Sequence, residues 1–231
     1  LQLLVAVVEA GSITGAAQAL DVTQSAVSHQ LDKLRAITDD TLFVKSGRGI
    51  VATARAQALA REARALGITC EASQVLILSG SQQALDLTSK LYIDKGTPVL
   101  LEAPTYLAAL QSFQFFGAHC LSLPMERDGP DLESLRELLS LNRPAFIYLI
   151  PTFQNPSGLR YSDRKRDEVA ALLDEFNVTL IEDEPYRELS FDSVAAMPVV
   201  SRLNTTSWIY TGTVSKTLLP GLRIGYLIAS P

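Results

Sequence analysis

Cysteine is scarce: Cys70 and Cys120 stand far apart, with no C-x-x-C spacing and no clustered histidine. That argues against a disulfide framework or a zinc site and reads as two reduced thiols in a cytoplasmic protein. No apolar run is long enough to span a bilayer, so no membrane partner is expected. No signal peptide, internal repeat or low-complexity tract is visible. The chain starts at Leu1 rather than Met and stops at Ser230-Pro231, just after an apolar run, so both ends read as cut. What is present suffices for a packed core: 47% of the residues are hydrophobic. The length fits one large domain or two smaller ones. The net charge of -5 is unevenly placed. Residues 1–60 balance five basic against five acidic side chains, whereas 61–231 carry fifteen and twenty. An acidic body excludes a nucleic-acid coat along the whole chain but leaves room for a local basic contact near the start.

The texture changes near residue 60. Before it, short helical patterns dominate. Leu1 to Glu9 reads as an apolar helix end stopped by Gly11. Ser12 can cap a helix over Ile13 to Leu20, and Thr23 one over Gln24 to Ile37. Leu42 to Lys45 and Gly49 to Val51 read as two short strands, and Thr53 caps a further helix to about Leu66. After residue 60, seven strands are expected: Val75–Leu78, Val99–Glu102, His119–Leu123, Ala145–Leu149, Val178–Glu182, Ser207–Tyr210 and Ile224–Ala229. Helices near 82–93, 105–116, 131–140 and 162–176 separate the first five. Apolar strands alternating with helices predict an α/β fold with a seven-stranded, mostly parallel sheet. Ligands on such sheets bind beyond the carboxyl ends of the strands. The polar motifs fall at those ends: Ser79-Gly80-Ser81, Pro104-Thr105-Tyr106, Pro151 to Gly158, and Asp183 to Tyr186.

Each motif alone is an ordinary turn, cap or surface charge; their order along the chain points to one chemistry. Pyridoxal phosphate needs an amine for its aldehyde, and Lys216, among hydroxyls in Thr213-Val214-Ser215-Lys216, is the candidate. It needs a carboxylate at the pyridine nitrogen, for which Asp183 is placed. Asn155 and Tyr186 can donate to the phenolic oxygen, and Tyr106 can stack on the ring. Ser81 and Gln82 open a helix after a glycine turn, a ready anion site. Thr213, Ser215 and Arg223 add hydroxyls and a fixed positive charge for the phosphate.

With those residues in view, the stretch from about 62 to 231 resembles the large domain of fold-type I pyridoxal-phosphate enzymes, the class I/II aminotransferase family. It is most similar to the subgroup holding 2-aminoadipate aminotransferases and MocR-type regulators. The resembling runs are Val75 to Leu87, Glu102 to Tyr106, Pro151 to Gly158, Glu182 to Tyr186 and Gly212 to Gly225. The resemblance implies that Lys216 is the Schiff-base lysine and Asp183 the pyridine partner. It gives Asn155 and Tyr186 to the phenolic oxygen, Tyr106 to the ring face, and Ser81, Gln82, Thr213, Ser215 and Arg223 to the phosphate. It also implies a cis bond before Pro156. Family members continue into a small domain whose arginine clamps the substrate carboxylate, and this chain ends before that region.

Residues 1–60 resemble the winged helix-turn-helix of LysR-type regulators, on Ala10 to Leu20, Val22 to Leu31, and Leu42 to Lys45 with Gly47 to Gly49. That resemblance places Gln24, Ser25, Ser28 and His29 where side chains can meet base edges, Lys33, Lys45 and Arg48 at phosphates, and Thr23 among the DNA-binding residues. Two domains are therefore expected, 1–60 and 61–231, joined inside one helix. The leading expectation is a pyridoxal-phosphate-binding transcription regulator, acting as a homodimer on a double-stranded DNA operator and sensing an amino acid or other amino compound. The alternative is an amino acid aminotransferase working through Lys216, and a third reading is a chimeric or partial chain with neither activity.

Overall fold

The computed structural model describes residues 12–19, 22–28, 43–46, 49–52, 67–190, 196–213, 215–216 and 224–231. The helices expected over Leu1 to Glu9 and Thr53 to Leu66 lie outside these residues, as does the third helix beyond residue 28. The chain divides into two compact units, 1–65 with 70–75 and 66–69 with 76–231.

In the first unit, helix α1 (Ile13–Ala19) follows Ser12, whose Oγ accepts from the Gly15 amide at 3.0 Å. A helical segment at 24–28 follows Thr23, whose Oγ1 accepts from the Ala26 amide at 3.2 Å. Both hydroxyls satisfy amides that a helix start leaves without an intrahelical partner. Ala17 and Val27 are buried. Strands β1 (Phe43–Ser46) and β2 (Gly49–Ala52) form an antiparallel hairpin, with Ser46 opposite Gly49.

The second unit alternates strands and helices: β3 (Val75–Leu78), α2 (Ser81–Tyr92), β4 (Pro98–Ala103), α3 (Leu107–Phe115), β5 (His119–Glu126), β6 (Gly129–Pro130), α4 (Leu132–Asn142), β7 (Phe146–Leu149), α5 (Asp163–Phe176), β8 (Thr179–Asp183), β9 (Trp208–Thr213) and β10 (Gly225–Ala229). The sheet order is β3-β10-β9-β8-β7-β4-β5-β6. Five neighbouring strands, from β9 through β8, β7 and β4 to β5, run parallel. β10 is antiparallel to β9, and β6 to β5. The expected seven-stranded, mostly parallel sheet is thus corrected to eight strands of mixed direction. Two local causes explain the difference. Residues 214–224 are short for the crossover that parallel pairing needs, so β10 returns beside β9. The two-residue β6 has no periodicity by which to announce itself.

β7 is buried at every position, as a strand covered on both faces should be. Phe113 of α3 meets Phe146 and Tyr148 of β7 edge-on, with centroids 5.2 and 5.7 Å apart. Leu85, Val99, Leu101, Ile181 and Ile209 belong to the same core. α4 is capped by Asp131, which accepts from the Ser134 amide at 2.7 Å, and α5 by Ser162, which accepts from Lys165. The chain passes from β4 outward to β5 and then returns to the other side of β4 as β7. Such a reversal opens a crevice at the carboxyl ends of the strands, where ligands bind on open α/β sheets. Among the described residues no helix is long and apolar enough to cross a membrane.

Candidate active site

A cavity of about 210 Å³ opens at that crevice. The turn after β4 contributes Tyr106, the loop after β7 Ile150 and Asn155, and the end of β8 Asp183, Pro185 and Tyr186. Ser81 and Gln82 enter from the start of α2, and Thr213, Ser215 and Lys216 from the end of β9. Nine of the ten residues expected to meet the cofactor therefore line one hollow, with Lys216 and Asp183 both among them. The tenth, Arg223, lies outside the described residues.

Asp183 ends β8 and is only 2% exposed. The Tyr148 phenol donates to its Oδ2 at 2.7 Å, while its buried Oδ1 has no partner among the described residues. Burial pushes its carboxyl up to about 6, against the downward pull of the Tyr148 hydrogen bond. A buried carboxylate oxygen without a donor is costly, and a cationic ring N–H is a group that would satisfy it. Asn155 Nδ2 donates to Tyr186 Oη at 3.3 Å, and Lys216 Nζ stands 5.8 Å from the centre of the Tyr186 ring. The Tyr106 phenol is raised above its ordinary range by burial and by the neighbouring Asp183 and Tyr186.

The start of α2, which also lines the hollow, suits an anion. Gly80, which has no side chain to cap with, precedes α2 at φ 84°. Gly225 lets β10 approach this turn: a Cβ there would sit 2.7 Å from the Gly80 carbonyl carbon and 2.9 Å from the Ser81 nitrogen. Thr213 has a second duty that its motif did not reveal. Its hydroxyl donates to the Ile224 carbonyl at 2.9 Å and accepts from the Ser215 amide at 3.2 Å, tying the loop together. The acid with one unpartnered oxygen, the lysine and the glycine-led helix start fit pyridoxal phosphate.

Several residues that hold the site were not singled out from the sequence. Glu102, at 1% exposure, accepts from Tyr161 Oη at 2.6 Å and from Gln154 Nε2 and the Ile150 amide at 3.2 Å. Burial pushes it to about 7, opposed by those three donors and aided by the charge of Asp183. Gln154 also donates to the Pro104 carbonyl at 2.6 Å and accepts from the Ser157 amide. It therefore links the turn before Tyr106 to the loop carrying Asn155. Both contain a cis peptide, Ala103–Pro104 and Asn155–Pro156, the latter as expected. Beneath that loop the fully buried Arg166 donates to the Pro151 carbonyl and Thr152 Oγ1, and stands 3.8 Å from Glu182 and Glu184. Spacing gave no signal for these links, since all but the Gln154–Ser157 contact join residues 14 or more positions apart. Among the described residues, no group of three His, Cys, Asp or Glu side chains could hold a metal.

In the first unit, Thr23, Gln24 and Ser25 are exposed and Ser28 is half-buried. Thr23 is occupied as a cap, and Gln24 Nε2 donates to Thr14 Oγ1 at 3.0 Å. His29, Lys33 and Arg48 lie outside the described residues, as does the side chain of Lys45.

The family model for aminotransferase class I and II matches residues 11–231. The chain belongs to that family. The match begins inside the segment expected to be a separate DNA-binding head. Over 162 residues, 68% of this chain, it is 44% identical to a 2-aminoadipate transaminase of Thermus thermophilus. Over 172 residues it is 36% identical to YdfD, an uncharacterized HTH-type transcriptional regulator of Bacillus subtilis, covering 74% of this chain and 36% of that protein. The structure of LysN, the α-aminoadipate aminotransferase of Thermus thermophilus complexed with N-(5'-phosphopyridoxyl)-L-leucine, aligns with a TM-score of 0.69 at 40% identity. That alignment covers 74% of this chain and 44% of LysN, and the chain spans 41% of the length of the 2-aminoadipate transaminase.

Proposed function

We propose that the second unit binds pyridoxal phosphate through Lys216 and serves amino-group transfer from an amino acid. The cavity that brings Lys216 together with the unpartnered Oδ1 of Asp183 carries this reading. The bound cofactor supplies an aldehyde for amine condensation and a ring that accepts electrons. Lys216 would contribute the tethering amine and, as a free amine, would hold or move a proton at the substrate's α-carbon. Asp183 keeps a proton on the ring nitrogen. Asn155 and Tyr186 donate toward the phenolic oxygen, and Tyr106 covers a ring face and excludes water. Ser81, Gln82 and Ser215 hold the phosphate, with Arg223 as their positive partner. The 44% identity to a transaminase supports transfer, as the 36% identity to an HTH-type regulator supports sensing.

The test is optical. The protein mixed with pyridoxal phosphate should show a visible band above the free aldehyde's own absorption, and Lys216→Ala should lose it. A wild-type protein without the band would sink the reading.

A second reading has its own support: capped helices at 13–19 and 24–28, a hairpin after them, and likeness to an HTH-type regulator. In it residues 1–60 form a DNA-reading head, and a homodimer grips an operator in response to the cofactor or an amino compound. A gel shift with palindromic DNA, with and without pyridoxal phosphate, tests it; no shift under either condition refutes it.

A further inference from the structure

We propose that Tyr148 is a positioning residue for the cofactor's ring: its hydroxyl fixes Oδ2 of Asp183, reserves Oδ1 for the ring nitrogen, and keeps the shared proton on that nitrogen. The inference rests on the cofactor reading given above and adds a residue outside the runs that carry the resemblance.

The geometry is one-sided. Tyr148 lies on β7 beside β8, in register with Ile181, and its hydroxyl reaches Asp183 Oδ2 at 2.7 Å. Both side chains are buried, so neither is readily exchanged for water. A carboxylate stripped of water reverts toward the neutral acid unless a donor stabilises its charge. A neutral acid at this position could not hold a cationic ring. Tyr148 supplies that donor, and it stays protonated: burial first, then the charges of Asp183 and Glu102 and the nearby Tyr106, hold its phenol well above the ordinary range. Among the described residues, Asp183, Glu102 and Tyr106 are the titratable groups that bear on it most. Its ring is held independently by Phe113, 5.7 Å away and edge-on, so removing only the oxygen leaves the packing in place.

The experiment loads the whole chain with pyridoxal phosphate labelled with ¹⁵N in the ring and reads that nitrogen by NMR. The wild type should show the visible band and a protonated nitrogen. In Tyr148→Phe the carboxylate becomes more basic and draws the proton away. The resonance should then move toward neutral pyridine, and the dissociation constant should rise about tenfold, the size of one lost hydrogen bond to a charged group. Phe113→Leu trims the same aromatic cluster, so it should lower the melting temperature without moving the nitrogen. If Tyr148→Phe does not fold, 3-fluorotyrosine at position 148 decides: as a stronger donor it should raise the pH at which the nitrogen loses its proton. An unmoved nitrogen in Tyr148→Phe with unchanged affinity, an unchanged nitrogen titration with 3-fluorotyrosine, or an equal movement in Phe113→Leu overturns the proposal. A missing visible band in the wild type overturns the cofactor reading and this inference together.

Discussion

Glu182 and Asp183 are neighbours on β8, both buried, yet they face opposite sides of the sheet and have opposite fates. Glu182 points behind the crevice. It accepts from the Val199 and Val200 amides at 3.1 and 2.8 Å and stands 3.8 Å from the Arg166 guanidinium. Asp183 lines the crevice with one oxygen satisfied and the other without a donor among the described residues. Folding has used Glu182 fully and left Asp183 half-spent. A buried carboxylate with its acceptors filled fixes chain segments; one with an unfilled acceptor costs stability until a ligand arrives. The back face is therefore expected to govern stability and the front face affinity.

The largest expected effect tests the back. Glu182→Gln retains one acceptor, sets an amide NH₂ against a backbone N–H, and removes a charge from beside Arg166. Breaking a buried ionic arrangement costs about 3 kcal/mol or more, so denaturant unfolding should show a loss of that order. Pyridoxal phosphate affinity of the molecules that remain folded should stay within about twofold. A large affinity loss would mean the faces are not separate.

Asp183→Asn should do the reverse. Losing a hydrogen bond to a charged ring should raise the pyridoxal phosphate dissociation constant by about a hundredfold, while the ligand-free protein gains stability at neutral pH. The pH dependence carries the sign. A carboxyl raised on folding binds more protons folded than unfolded between its two pKa values. Its contribution is full below the unfolded value and is lost as pH rises through the folded one. For Asp183 that window runs from 3.8 to about 6, and for Glu102 from 4.5 to about 7. The melting temperature of the ligand-free protein should thus fall from mild acid toward neutrality, and Asp183→Asn should flatten the lower part of that slope. A wild-type melting temperature that rises over the same range would contradict the burial argument.

Gly225→Ala sharpens the front face from its other end. The added methyl carbon would stand 2.7 to 2.9 Å from the backbone of Gly80 and Ser81, so strand and turn must part. Overpacking of this kind costs about 1–3 kcal/mol. The expected signature is selective: preference for pyridoxal phosphate over unphosphorylated pyridoxal should shrink by about tenfold, since only the anion uses the turn. An equal loss for both ligands would place the damage elsewhere.

Much of this was legible in the sequence because it is local. Ser12 and Thr23 cap the helices they were expected to cap, and β3 occupies the residues its apolar run marked. The cavity gathers motif residues because each lies just past a strand, and parallel strands bring those ends together. What stayed hidden is non-local. β5 runs on to Glu126 because Ala103 pairs with Pro124 and Met125 with Pro130, and neither partner is visible from within the strand. β9 reaches Thr213 because Gly225 lies opposite it. Tyr148, in Phe146-Ile147-Tyr148-Leu149, reads as one more core aromatic until Asp183, 35 positions away, is set beside it. Arg166 reads as one charge in a charged helix, yet it is wholly buried.

The smallest expected effect falls on the residue that touches both regions. Thr152 belongs to the loop that carries Asn155, but its hydroxyl faces the back, donating to Glu184 Oε1 at 2.7 Å and accepting from Arg166 Nη2 at 3.0 Å. Thr152→Val keeps the shape and deletes both bonds, which should cost about 1–2 kcal/mol in unfolding free energy. The Asn155 turn is held separately, by Gln154 bonded to Pro104, Ser157 and Glu102. If that second anchor suffices, pyridoxal phosphate titration of Thr152→Val should give an unchanged dissociation constant despite the lower stability. If affinity falls in step with stability, the loop transmits between the faces, and Glu182 and Asp183 differ in degree rather than in kind.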